Sequence, residues 1–359
     1  MSLDPIRSLL LPNREHPYGD TLQNSLKKSG VIPLKCDAGW GFELHKNLDT
    51  IFDLRPDILH LQWPESLCRA EPGDDLDSLL GSIRGALSEI KKRGIYIAWT
   101  MHNLRPHHIF DLRFQTKLYE HFAACASGVI HHSHCGMRVA RRGYVYAENA
   151  MHTVIRHGYF TEGTECDLSQ NEARESLGLP RESAIYLFCG AFRKDKSIDV
   201  LVRAFRDIKP DAPQTLVMVG QPKEDASSLY PDIDLDHANI LWPGRLPFEE
   251  LSVYVKASDA FVGAHGDRHL TSAGPHLSQS YLKSQICLFS EYTNEVLGDT
   301  AFYFEKGNDA VENLKDRLAS VTPEMLNRAS DRLEQRREEY HWDVIGRNTR
   351  SFYEGLLDV

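Results

Sequence analysis

Apolar positions along this chain follow two alternating patterns. Short uninterrupted runs, rich in β-branched and aromatic residues, give way to longer stretches in which apolar residues recur three and four apart. Runs of the first kind are Ile6 to Leu11, Asp57 to Gln62, Ile95 to Thr100 and Ser127 to Ile130 in the first half, and Ile185 to Cys189, Thr215 to Val219, Asn239 to Trp242 and Ala260 to Gly263 in the second. They predict buried strands. Helical spacing follows at Thr21 to Ser29, where Leu22 and Leu26 lie four apart and Gly30 closes the turn. The clearest helix is Leu76 to Arg93, with Leu76, Leu79, Leu80, Ile83, Leu87 and Ile90 on one face. Asp74, Asp75 and Asp77 at its start and Lys91, Lys92 and Arg93 at its end match the helix dipole, so the basic triplet is first of all a helix terminus. Further helices are predicted from Ile198, capped by Asp195 or Ser197, over Pro247 to Ala257, and from Pro275 through Ser284. Strand and helix alternating in this way predict doubly wound α/β architecture, in which ligands bind at the carboxyl ends of the strands.

That rule singles out particular loops. Asn13 to Asp20, with Tyr18 and Gly19, follows the first strand. Trp63-Pro64-Glu65 ends the second, where an aromatic face can stack on a sugar or base and the carboxylate can act as a base or orient a substrate. His102 to His108 follows the strand ending at Thr100, and a neutral imidazole at His102 suits proton transfer near pH 7. In the second half Gly190 breaks the strand Ile185 to Cys189 into a loop carrying Arg193, Lys194 and Lys196 before the next helix. Cations and unpaired helix amides then face one point, which is the chemistry of a diphosphate site.

At 359 residues the chain suits two domains of roughly 150 to 200 residues. Lys and Arg number 41 against 51 Asp and Glu, a net charge of −10, which argues against nucleic acid as a partner while leaving room for a local basic patch on a membrane surface. No apolar run approaches the roughly 18 residues needed to span a bilayer, and no basic segment followed by an apolar one opens the chain. Seven scattered cysteines, without a C-x-x-C pair, read as the reduced thiols of a cytoplasmic protein. His131-His132-Ser133-His134-Cys135 has metal-ligand composition, but adjacent residues leaving a strand point to opposite sides, so no metal is expected there.

The runs L-H-L-Q-W-P-E, ending at Glu65, and W-T-M-H-N-L-R-P-H, from Trp99 to His107, resemble bacterial glycosyltransferases of the GT-B fold, in the family 4-like group that assembles polysaccharides. The resemblance implies two Rossmann-like domains facing across a cleft: an acceptor-side domain over 1–157, a nucleotide-sugar domain over 158–340, and a C-terminal helix, 341–359, crossing back to the first. Thr153 to Gly158 resembles the last strand of the first domain, Glu172 to Leu179 the helix before the second, and Tyr340 to Leu357 the closing helix. By the same resemblance His102 lies at the sugar-transfer centre. Arg193 and Lys196 stand where an Arg and a Lys three residues apart hold the donor diphosphate, after Gly190, and Gly274 matches a family glycine. Thr271 and Gln279 stand where the family usually carries two glutamates, and Glu291-Tyr292 replaces a glycine pair. A hydroxyl of Thr271 or Ser272 can touch phosphate or sugar and Gln279 a ribose hydroxyl, but neither supplies negative charge.

Together these imply a cytoplasmic hexosyltransferase, with room for peripheral contact at the inner membrane face, that moves a sugar from a nucleotide-diphosphate donor to a hydroxyl of a glycan or lipid-linked oligosaccharide, with neither cofactor nor metal. His102 and Glu65 are the expected catalytic pair. The donor is expected at Gly190, Arg193, Lys196, Thr271, Ser272, Gly274 and Gln279, and the acceptor at Asn13, Tyr18, Gly19, Trp63, Asn103 and His107. Two alternatives stay open: a nucleotide- or partner-binding protein that has lost transfer activity, and a nucleotide-sugar epimerase on the same fold.

Overall fold

The computed structural model describes residues 5–12, 17–36, 42–106, 110–160, 165–208, 213–221, 237–264 and 270–358, with the side chains of all but Pro17, Lys194 and Phe248. The chain forms two compact units. The first comprises 1–158, 269–271 and 339–359, and the second 159–268 and 272–338.

Six parallel strands make the sheet of the first unit: β1 (Arg7–Leu11), β2 (Ile32–Leu34), β3 (Ile58–Leu61), β4 (Tyr96–Thr100), β5 (Gly128–His131) and β6 (Met151–Val154). Their order is β2-β1-β3-β4-β5-β6. Because side chains alternate across a strand, one face takes Leu9, Leu11, Leu59, Leu61, Ile97, Trp99 and Val129, which pack against the helices Leu76–Lys92 and Leu112–Cys125. The other face takes Leu10, Ile58, Ala98 and Ile130, beneath the helices Pro17–Lys28 and Trp342–Leu357. A strand covered on both sides is apolar at most positions, which is why these segments read as nearly continuous runs.

The second unit repeats the plan with β7 (Ala184–Cys189), β8 (Gln214–Val219), β9 (Ile240–Gly244), β10 (Ala260–Gly263), β11 (Gln285–Leu288) and β12 (Ala301–Phe304), again parallel, in the order β12-β11-β10-β7-β8-β9. Tyr186, Phe188, Leu216 and Met218 face the helix Ile198–Arg206, while Ile185, Leu187, Val217 and Val219 face Leu251, Val255 and Leu277. Two doubly wound sheets are thus present, the fold class that the alternation of runs predicts.

The local geometry corrects several expected boundaries. The first helix starts at Pro17 rather than Thr21, because Pro suits an initial helical position and the ring of Tyr18 enters an aromatic cluster. The helix expected to run through Ser284 ends at Ser280, and the Lys283 amide turns back to the Ser278 carbonyl. Neither expected cap of the helix at Ile198 acts as one: the Asp195 carboxylate is taken by Arg193, and Ser197 sits at φ 45° with no side-chain cap bond.

Candidate functional site

In the first unit the polar groups gather at the carboxyl ends of β3, β4 and β5. β3 ends at Leu61, and the amide of Gln62 still bonds the Leu11 carbonyl, so Gln62 is held at the strand end with its side chain buried. Its amide oxygen lies 2.6 Å from His102 Nε2. Trp63 stacks on the His102 ring, centroids 4.6 Å apart and planes 18° from parallel, and Tyr18 meets it edge-on at 4.9 Å. His132 and His157 complete the group, 5.0 Å from His102 and 4.8 Å from Tyr18 respectively. Burial raises the Tyr18 phenol far above its ordinary range, so it serves as a neutral hydroxyl. Burial likewise pushes His132 down to about 4, its Nδ1 donating to the Ile155 carbonyl at 2.9 Å.

Of the residues singled out in the sequence, Tyr18, Trp63 and His102 therefore come together. Tyr18 and Gly19, expected in a loop, are helical, and Tyr18 is 3% exposed. Asn103 follows His102 and is half-buried. Glu65 lies in the short turn Pro64–Ser66, and its carboxylate accepts from the Tyr119 hydroxyl at 2.8 Å. Asn13 and His107 lie outside the described residues. Reading the sequence for strand-end loops missed Gln62, His132, His157 and Trp342. Adjacent position to Trp63 was a signal for Gln62, but nothing local ties Trp342 to a strand end nearly 200 positions earlier.

In the second unit β7 and β8 end in glycines for a steric reason. A Cβ on Gly220 would come within 2.9 Å of the Gly190 carbonyl carbon, and Gly220 has φ 146°. The chain then turns through Arg193, whose guanidinium grips Asp195 by two bonds, Nε to Oδ1 at 2.9 Å and Nη2 to Oδ2 at 2.8 Å. Lys196 is buried and donates to Ser272 Oγ at 3.0 Å, which brings the loop after β7 to the N-terminus of the helix Ala273–Ser280. Burial first, then the charge of Arg193, lowers the Lys196 ammonium to about 7, with Asp195 opposing. A cation held so close to neutrality is ready to be stabilised by an anion.

Gly274 and Pro275 form the first turn of that helix, and Thr271 is half-buried just before it. Pro275 in the first helical turn would leave the amides from Thr271 to Gly274 free to face an anion. The Ser272 amide instead donates to the Tyr292 hydroxyl at 2.9 Å. Tyr292 in turn reaches His276 Nε2 at 3.1 Å, and His276 Nδ1 lies 3.1 Å from Gln279 Oε1. Gln279 donates its amide to the Val296 carbonyl at 3.0 Å, so it is a buried strut between two helices rather than a group presented outward. The departures at Gln279 and Tyr292 are parts of one hydrogen-bonded chain that also includes His276. Within β9, Trp242 is 40% exposed, tilts over Phe192 at 5.6 Å and donates to the Gly220 carbonyl, giving an aromatic face able to stack on a base.

Among the described residues no group of three or more His, Cys, Asp or Glu could hold a metal ion, and no helix is long and apolar enough to cross a membrane. Residues 169–265 match the family model described as glycosyl transferases group 1. No curated protein matches the chain. Solved structures do. The sucrose-phosphate synthase of Thermosynechococcus elongatus is 15% identical with a TM-score of 0.69, the match covering 99% of each chain. HepE of Anabaena, solved in complex with UDP-glucose, is 13% identical with a TM-score of 0.71 over 98% of this chain and 100% of that one. WaaG, a glycosyltransferase involved in lipopolysaccharide biosynthesis, is 10% identical with a TM-score of 0.61, covering 98% and 100%. The chain has the GT-B glycosyltransferase fold, and its segment 169–265 carries the sequence pattern of the glycosyl transferases group 1.

Proposed function

We propose that the protein transfers a sugar, a hexose or a close relative, from a nucleoside-diphosphate donor to a hydroxyl of a glycan or lipid-linked oligosaccharide, at the cytoplasmic face of a membrane. The observation that carries this reading is the Lys196 to Ser272 bond, which joins a basic strand-end loop to a helix N-terminus within and next to the segment matching group 1 glycosyl transferases. In the reaction the bond from the anomeric carbon to the diphosphate oxygen breaks, its electron pair leaving with the diphosphate. The acceptor oxygen bonds that carbon and gives up its proton. Arg193 and Lys196 offset the charge growing on the leaving group, the part a divalent ion would otherwise play, so the reading invokes no metal. His102 contacts the reacting hydroxyl, and Trp63 offers a face to a sugar ring. That HepE was solved with UDP-glucose makes UDP-sugars the first donors to try.

A second reading, nucleotide binding without transfer, is favoured by Gln279, whose amide is spent on the Val296 carbonyl and which carries no negative charge. One experiment separates the two. Thermal shift is measured with UDP, GDP, ADP, CDP and dTDP, without added metal, on the wild type and Arg193→Ala, followed by sugar release from the matching donor. One diphosphate should raise the melting temperature, the rise should vanish in Arg193→Ala, and turnover should fall about tenfold or more. No stabilisation by any diphosphate overturns the donor site. Stabilisation without sugar release, with any acceptor, selects the second reading.

A further inference from the structure

The first unit contains a buried line of polar side chains that the reaction above does not use: Tyr353 of the C-terminal helix, His60 in β3, Thr100 at the end of β4, and Gln62. All four are at most 1% exposed. His60 Nδ1 lies 2.6 Å from the Tyr353 hydroxyl, and His60 Nε2 lies 2.7 Å from Thr100 Oγ1 and 3.2 Å from Gln62 Nε2. The other end of the Gln62 amide is the oxygen 2.6 Å from His102 Nε2.

An amide nitrogen can only donate and an amide oxygen can only accept. Gln62 Nε2 therefore needs the lone pair on His60 Nε2, shared with the nearer Thr100 hydroxyl, which then donates to it, and this puts the His60 proton on Nδ1, facing Tyr353. Gln62 Oε1 needs a proton on His102 Nε2, which puts the His102 lone pair on Nδ1. The distances select this orientation of the amide over its flip. A gap of 3.2 Å suits N–H···N, whereas 2.6 Å is too short for two nitrogens and suits a close N–H···O contact. Burial, with a lesser contribution from His132, pushes His60 down to about 3, in keeping with the neutral ring the pattern requires. The backbone of Gln62 is pinned as well, its amide on the Leu11 carbonyl and its carbonyl accepting from Trp99 Nε1 at 3.2 Å.

We infer that Gln62 and His60, anchored by Tyr353, are positioning residues that hold His102 in the Nε2–H tautomer. The inference rests on the reading that places His102 at the transfer centre. The tautomer itself does not, and this makes the two separable.

The test is long-range 1H–15N correlation on full-length protein labelled at histidine nitrogen, at a pH where His102 is neutral, for the wild type, Gln62→Leu and Tyr353→Phe, each checked for folding by its circular-dichroism melt. Release of UDP from UDP-glucose, the probe donor, is measured alongside. The wild type should show His102 protonated on Nε2. Gln62→Leu should convert a substantial fraction to Nδ1–H and lower kcat about tenfold with KM moved less than twofold. Tyr353→Phe, which does not touch His102, should shift the tautomer in the same direction by a smaller fraction, and it keeps the inference testable where Gln62→Leu does not fold. A wild-type His102 protonated on Nδ1, or a tautomer unmoved in both variants, overturns the inference and leaves the donor-site reading standing. A tautomer that moves while kcat stays overturns the link to chemistry, and with it the placing of His102 at the transfer centre.

Discussion

Lys196 shows how a single side chain couples burial to ligand chemistry. Its ammonium is held at about 7 in the folded protein against an ordinary value of 10.5. Between those limits the unfolded chain carries a proton that the folded chain has lost, so this residue's contribution to stability rises as pH increases from about 7 toward 10. Binding of an anion has the opposite dependence, because a diphosphate needs the protonated form. UDP affinity should therefore fall by up to about tenfold per pH unit above pH 7, in a range where the nucleotide itself no longer titrates. Calorimetric titration between about pH 7 and 9 measures this directly. Lys196→Met should bind more weakly and lose the slope, and a wild-type affinity that is flat across that range would remove Lys196 from the anion site. The loop's lysine and arginine were legible in the sequence as charge after a strand-ending glycine. The burial of Lys196 was not, since it depends on Ser272, 76 positions later.

At the scale of elements, the C-terminal helix Trp342–Leu357 is set against the helix Pro17–Lys28 by a glycine. Ser25 donates its hydroxyl to the Trp342 carbonyl, and a Cβ on Gly346 would stand 2.8 Å from the Ser25 carbonyl oxygen. Backbone cannot retreat from such a contact, so overpacking of about 1–3 kcal/mol should outweigh the gain of about 1 kcal/mol in helix propensity that Ala brings. Gly346→Ala should thus lower the urea midpoint. On the same helix Gly355→Ala would meet only the flexible end of Met151, at 2.9 Å from Cε, and should be close to neutral. Equal losses in the two variants would show that the helix is loosely docked. The family resemblance pointed to this helix, and the structure shows its buried face to be Trp342, Ile345, Thr349, Phe352, Tyr353 and Leu356. The strands β11 and β12 escaped notice because four residues each are too few to carry a pattern, and they are fixed by pairing with each other and, for β11, with β10.

For the whole molecule, the chain completes its first unit only after finishing its second. Trp342, Ile345, Phe352, Tyr353 and Leu356 are all buried in the core beneath β1, β3, β4 and β5. Five such side chains are worth on the order of 10 kcal/mol, comparable with the total stability of an ordinary domain. Removing 341–359 should leave the first unit unable to fold while the second, with its own core, still gains thermal stability from UDP. Dye binding to exposed apolar surface, together with a UDP thermal shift, reads both halves of that expectation. A truncated chain that keeps the wild-type near-ultraviolet dichroism would show that the helix is dispensable.

The architecture and the chemical character of the strand ends are written in local pattern. Parallel strands buried on both faces are apolar at most positions, helices between them are amphipathic, and the glycines, His102, Trp63 and Arg193 stand where strands stop. Which polar groups meet is a matter of packing. Gln62 faces both His60 and His102, Tyr353 closes that line from the far end of the chain, and Gln279, which the resemblance placed near a ribose, bonds His276 and the Val296 carbonyl. Hydrogen bonds between residues distant in sequence are set by how elements pack, and packing leaves no periodicity in the chain to read.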